Sequence, residues 1–203
     1  NLKKDYPNTK TKLLYNTPFQ FLIAVVLSAQ TTDDQVNSVT PGLFKSFKTV
    51  KELASAEIES VEKSINRVNY FHNKARNIKK TAALIDKQFN NVVPKNREEL
   101  LSLPGVGRKS ANVVLSEIYA IPAITVDTHV KRLAFRIGFT KEKDPYKVEL
   151  DLAKIWPQSQ WAKYSSLIIF HGRTICKART PNCSDCSIRN FCKLYAKTHA
   201  KGR

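Results

Sequence analysis

The sequence predicts an all-α protein. Apolar residues recur at helical spacing through most of the 203 residues, alternating strand-like runs are nearly absent, and neither a low-complexity run nor a repeat of fixed period appears among its six-glycine, nine-proline background. At this length the chain is one large domain or two small ones, long enough to bury a core. No apolar stretch approaches the roughly 20 residues that a membrane span needs. The longest, Phe19 to Leu27, contains Gln20 and reads as a buried helix.

The elements follow in order. Thr17-Pro18-Phe19-Gln20 reads as a helix start, with Thr17 as cap, Pro18 in the first turn and Gln20 at the capping-box position. Thr31-Thr32-Asp33-Asp34 offers a second cap, after which Val36, Val39 and Leu43 keep helical spacing until Pro41-Gly42 is expected to interfere. Leu53, Ile58, Val61 and Ile65 suggest two short helices, and Ala75, Ile78, Ala82, Ile85 and Phe89 form a 3.6-residue stripe. Asn96-Arg97-Glu98-Glu99 opens another helix with a capping box, and helices are expected near 108–120, 127–137, 145–155 and 159–171. Trp156 and Trp161 read as core anchors near helix ends, and His72 and His199 as solvent-exposed side chains.

The net charge is +17, placed unevenly: 16 basic against 5 acidic side chains beyond residue 130, and 18 against 12 before it. Such an excess points to a polyanion. Nucleic acid fits better than a membrane surface, because neither end shows a basic helix with a strong apolar face. The bland alternative is a soluble basic surface.

All four cysteines lie within 17 residues, Cys176, Cys183, Cys186 and Cys192, in the order C-x6-C-x2-C-x5-C. Two disulfides suit small secreted domains without a core, unlike this chain. Zinc sites favour two C-x2-C-like pairs, and only Cys183 and Cys186 have that spacing. Four thiolates also hold a [4Fe–4S] cluster. Spacing alone leaves iron and zinc open.

Leu103-Pro104-Gly105-Val106-Gly107-Arg108-Lys109 lies between two expected helices. Pro104-Gly105 favours a tight turn, and two residues without Cβ atoms let another backbone come close. The N–H groups of Val106 and Gly107 are expected to point outward at a helix start as an anion site. The pattern reads as a helix–hairpin–helix that grips a DNA phosphate through main-chain donors, against the plainer reading of an ordinary glycine turn. Lys109 follows in the first helical turn, where the helix dipole and Arg108 disfavour a cation and so favour the neutral amine of a nucleophile. The plainer reading is a phosphate-binding lysine. Asp127 stands 18 residues further on, in Val126-Asp127-Thr128-His129, as a helix cap, as a carboxylate facing the same site as Lys109, or as both.

Taken together these residues resemble the endonuclease III family, the iron–sulfur branch of the helix–hairpin–helix DNA glycosylases. The resemblance covers nearly the whole chain. It is carried by Pro18-Phe19, Leu27-Ser28-Ala29-Gln30-Thr31-Thr32-Asp33, Lys74-Ala75, the run Leu103 to Val114, Val126-Asp127-Thr128-His129-Val130, His171-Gly172-Arg173 and the cysteines. It implies an all-α fold of two helical domains flanking a DNA-binding cleft: a barrel over residues 11–121 with the helix–hairpin–helix, and an iron–sulfur domain of residues 122–203 joined by 1–10. It favours a [4Fe–4S] cluster on Cys176, Cys183, Cys186 and Cys192 over zinc.

The reaction implied is excision of oxidised pyrimidines from duplex DNA, followed by nicking of the abasic site by β-elimination. By this likeness Lys109 is the Schiff-base nucleophile and Asp127 the active-site carboxylate. Gln30 would fill the gap in the duplex and Tyr70 would wedge from the other side. Leu103, Gly105, Val106, Gly107, Arg108 and His129 are the expected DNA contacts of the hairpin and its partner helix. Lys177 and Arg179, in the loop between the first two cysteines, would meet phosphates. The expected protein is monomeric, without membrane partners, and located with the DNA: cytoplasmic and nucleoid-associated in a prokaryote, nuclear or mitochondrial in a eukaryote.

The chain departs from the pattern at Asn69, where many relatives have glycine, and at Tyr70, where an aliphatic residue is common. Asn69 suits a left-handed turn. The competing readings are a mismatch thymine or uracil glycosylase of the same fold and a non-catalytic DNA-binding module. An adenine glycosylase fits less well, since it lacks a lysine at the place of Lys109.

Overall fold

The computed structural model describes residues 1–199, and among these it contains thirteen α-helices and no β-strand. They are α1 (Leu2–Asp5), α2 (Pro18–Leu27), α3 (Asp33–Asn37), α4 (Thr40–Ser46), α5 (Val50–Ser55), α6 (Ile58–Ser64), α7 (Phe71–Gln88), α8 (Arg97–Ser102), α9 (Arg108–Tyr119), α10 (Thr128–Ile137), α11 (Pro145–Ile155), α12 (Trp161–Thr174) and α13 (Lys193–His199). The chain forms two compact units, one of Thr11–Ile121 and one of Asn1–Lys10 with Pro122–Arg203. No helix among the described residues is long and apolar enough to cross a membrane.

The unit of residues 11–121 is built around α2. Thr17 caps it by accepting from the Gln20 amide at 3.2 Å, and Gln20 Oε1 accepts from the Asn16 amide at 2.8 Å. The reciprocal bond thus falls one residue earlier than in an ideal capping box. Every residue from Phe21 to Leu27 is buried. Packing on all sides explains why this helix shows no amphipathic stripe. Leu43, Leu53, Ile65, Ile78, Ile85, Leu100 and Leu103, each almost fully buried, complete the core. Helix α7 supplies four of the five expected stripe residues, Ala75, Ile78, Ala82 and Ile85, at zero exposure, whereas Phe89 is the half-buried C-cap beyond its end.

Pro41-Gly42 does not interrupt a helix. A new helix starts at Thr40, with Pro41 in its first turn, where a missing N–H costs nothing. Asn96 caps α8 through the Glu99 amide at 2.8 Å.

The second unit packs Ile124, Val126, Val130, Leu133, Ala134, Val148, Leu152, Trp156 and Ile168 into one core. Both tryptophans act as anchors: Trp161 Nε1 donates to Trp156 O at 3.0 Å, and Trp156 meets Tyr164 edge-on at 5.6 Å. The N-terminal segment is stitched into this unit. Lys3 Nζ donates to Gln160 Oε1 at 3.0 Å, Asn1 Nδ2 to Ser187 O at 2.7 Å, and Ser187 Oγ to Asp5. His72 is exposed, and the side chain of His199 lies outside the described residues.

Candidate functional site

The hairpin runs from α8 through Leu103–Gly107 into α9. Gly105 has φ +81°, and a Cβ there would stand 3.0 Å from both Asn77 Nδ2 and Val26 Cγ1. The turn therefore needs glycine twice over, for its left-handed backbone and for its packing on α2 and α7. Thr81 Oγ1 ties the turn down by donating to Pro104 O at 3.0 Å.

One expectation is corrected here. The Val106 N–H donates to Leu103 O at 3.1 Å inside the turn, and Val106 and Leu103 are both buried. Neither offers an outward group as the sequence suggested; closing the turn uses the Val106 donor. Gly107 does stand at the surface, and a Cβ added to it would meet nothing within 4 Å. It heads α9 with no side-chain cap, so no side-chain oxygen from the cap position covers the amides of the first turn. Arg108 is half-buried and Lys109 exposed in that turn.

Asp127 is the N-cap of α10, one residue before the helix rather than its first residue, and its Oδ1 accepts from the Val130 amide at 2.8 Å. The cap engages one of two carboxylate oxygens. His129 follows in the first turn, with Nδ1 3.2 Å from Arg132 Nη2. Both residues pack on Gly172 of α12, where a Cβ would meet His129 Cβ at 2.9 Å. Arg132 Nη2 also donates to Gly172 O and Cys176 O, each at 2.8 Å.

The four cysteines carry no disulfide, and all four line one cavity. Burial, then the neighbouring Cys176 and Cys192, pushes the Cys183 thiol up; burial is also the leading cause of the rise at Cys186. Among the described residues no three histidine, cysteine or acidic side chains converge closely enough to hold one metal ion. Sequence reading missed the residue that braces this loop. Arg136 of α10 donates to Lys177 O at 2.7 Å and to Ala178 O at 2.6 Å, and its Nη1 lies 3.4 Å from Cys176 Sγ. Its position four residues after Arg132, on one helix face, was the available signal. His171, buried at 2 %, places Nε2 3.4 Å from Cys186 Sγ and Nδ1 3.1 Å from Tyr6 Oη. Lys177 and Arg179 are exposed.

Gln30 and Tyr70 are both exposed, the latter at 64 %. The left-handed residue in the second loop is Tyr70, with φ 58°, and not Asn69 as its residue type suggested. Asn69 instead uses its amide, donating to Gln30 O at 2.6 Å. Lys74 is the other residue the sequence did not mark for a role. It is 5 % exposed and donates to Leu27 O at 2.8 Å and Thr31 Oγ1 at 2.7 Å. The carbonyl end of α2 is a favourable place for a cation.

Burial nevertheless lowers the Lys74 pKa from 10.5 to about 8. Between these values the unfolded chain holds the proton that the folded chain has lost, so this group makes stability rise with pH across that window. The expected result is that the unfolding free energy of the unaltered protein, relative to Lys74→Met, shifts in its favour from pH 8 to 10.5. Denaturant titrations at three pH values measure it, and a pH-independent difference contradicts it.

A helical protein with a glycine-turned hairpin ahead of an exposed lysine, and four thiols around one cavity, is of the helix–hairpin–helix DNA-repair class. The model of the HhH-GPD superfamily of base excision DNA repair proteins matches residues 23–158. With relatives as similar as those below, the chain belongs to the endonuclease III family within that superfamily. Endonuclease III of Synechocystis is 47 % identical over 94 % of this chain and 88 % of its own length. The Escherichia coli enzyme is 39 % identical over 97 % and 93 %. A solved structure of a trapped endonuclease III–DNA covalent intermediate superposes with a TM-score of 0.91 at 42 % identity, over 97 % of this chain and 93 % of that one. A thermostable thymine-DNA glycosylase shares the fold at 23 % identity, with a TM-score of 0.78.

Proposed function

We propose that the protein is a bifunctional DNA glycosylase and AP lyase of base excision repair, acting on oxidised pyrimidines in duplex DNA. The observation that carries the reading is Lys109, exposed in the uncapped first turn of the hairpin's second helix, in a chain so similar to a protein caught as a covalent intermediate with DNA. Similarity to the thymine glycosylase is limited to fold, and a mere binding module would have no need of Lys109 and Asp127.

The damaged nucleotide must leave the stack, at a cost of a few kcal/mol. Gln30 fills the vacated space, since its amide both donates and accepts and so suits an orphaned base. Gly107 and the first amides of α9, with Arg108, hold a phosphate beside the lesion. Asp127 stabilises the positive charge growing on the sugar or takes a proton from Lys109. The neutral amine attacks C1′, and the base departs with the bonding pair and gains a proton. The ammonium proton passes to O4′ as the C1′–O4′ bond breaks, leaving an open-chain iminium that acidifies C2′; loss of that proton expels the 3′ phosphate, and water then releases Lys109. His129, held by Arg132, serves as an orienting or phosphate-contacting group. Borohydride reduction of a mixture with an abasic duplex tests the reading: a covalent protein–DNA adduct is expected, and no adduct on any damaged duplex would favour the binding module.

The donor set fits a [4Fe–4S] cluster held by Cys176, Cys183, Cys186 and Cys192. Four thiols, with no disulfide between them, line one cavity, and four thiolates are the donor set of such a cluster. When bound, it supplies four metal–thiolate bonds that fix the loop 177–182, and no step of the reaction passes through it. The fixed loop then presents Lys177 and Arg179 to phosphates. Lys177→Ala and Arg179→Ala are each expected to weaken duplex binding and to lower the slope of log K against log salt by about one, with the cluster's visible absorption unchanged. Unaltered binding in salt titrations would rule the contact out.

A further inference from the structure

The loop after α2 and the loop before α7 each present one exposed side chain from a strained backbone. Gln30 has φ 53° and Tyr70 φ 58°, where side chains other than glycine are disfavoured. Such strain persists only where the surroundings over-determine it. Here three ties cross between the two segments. Asn69 Nδ2 donates to Gln30 O at 2.6 Å and Gln35 Nε2 to Arg67 O at 2.6 Å, while Lys74 reaches back from α7 to Leu27 O and Thr31 Oγ1. Buried Leu27, Val36, Ile65 and Val68 root the loops beneath them.

We propose that Asn69 is a positioning residue that couples Gln30 and Tyr70 into one two-pronged wedge, so that both enter a duplex in fixed register around the everted nucleotide. The inference rests on the glycosylase reading and deepens it. Two independent loops would each lose conformational freedom on entering the stack, whereas prongs tied together have lost it on folding. Asn69 donates to a loop carbonyl and to no reacting group, so its effect falls on eversion and not on bond breaking.

The test uses a duplex carrying thymine glycol beside 2-aminopurine, whose fluorescence rises on unstacking, and a second duplex with the same lesion in an unpaired bulge. Asn69→Leu removes the donor at similar volume on an exposed residue. On the paired duplex it is expected to slow both the fluorescence rise and single-turnover base release by about three- to tenfold, the span of one net hydrogen bond. On the bulged duplex release should stay within about twofold, as for a surface substitution. Unchanged eversion on the paired duplex, or equal losses on both, overturns the proposal. No base release by the unaltered protein overturns the glycosylase reading and the wedge with it.

Discussion

Lys109→Ala is expected to abolish the borohydride-trapped complex with an abasic duplex and to slow strand nicking by about 10³-fold or more, the scale on which a lone nucleophile is felt. Duplex binding should change by no more than about twofold, because the substituted side chain is exposed and supports no packing. A DNA-binding lysine would show the opposite pattern, with weaker binding, a reduced salt slope and nicking restored at high protein concentration. Lys109→Arg sharpens the contrast. It keeps the positive charge, but a guanidinium stays protonated and forms no Schiff base. Full nicking by either variant, measured by gel on a labelled abasic strand, would remove Lys109 from the chemistry.

The hairpin shows how far the residues alone could lead. Gly105 announces itself because Pro104-Gly105 admits few turns, and the left-handed backbone and crowded Cβ position bear that out. The use of the Val106 amide was not legible, since whether a turn closes with an internal hydrogen bond depends on the backbone angles of its neighbours. The caps at Thr17 and Asn96 were readable for a local reason: the donor lies three residues from the acceptor.

Pro41-Gly42 suggested a break because a helix start and a helix stop share those residue types, whereas Pro41 lies in the first turn of α4. The partners of Lys74 and Arg136 were hidden for another reason. A cation on a helix looks the same whether it faces water or a carbonyl cluster contributed by a distant segment. The partners of Lys74 lie 43 and 47 residues away, and those of Arg136 41 and 42. Asn69 belongs with these: its residue type suggested backbone conformation, whereas its role is a bond across 39 residues to the Gln30 loop.

Cys186→Ser is expected to have the largest effect on the fold of the C-terminal region. Between α12 and α13, over residues 175–192, the chain contains no α-helix, only a three-residue 3-10 turn, and Lys177, Ala178, Arg179 and Thr180 are all exposed. The apolar contribution of such a segment is small, so its order depends on cross-links. Those within the protein include the two Arg136 bonds to the backbone, Arg132 to Cys176 O, Asn1 to Ser187 O, the Asn182 amide to Ile175 O at 2.9 Å and the Asn182–Asp185 side-chain bond at 2.7 Å. With the proposed [4Fe–4S] cluster bound, four metal–thiolate bonds would be the strongest cross-links of this segment, and their binding energy would become folding energy, as at structural metal sites. The substitution should therefore lower iron and sulfide content, bleach the visible absorption and remove hydrogen-exchange protection from amides between Cys176 and Cys192. Helices α2 and α7 belong to the other compact unit and should keep their protection. Chelation of iron from the unaltered protein should reproduce the same local pattern, and a loop that stays protected after iron loss would show that the protein bonds alone suffice.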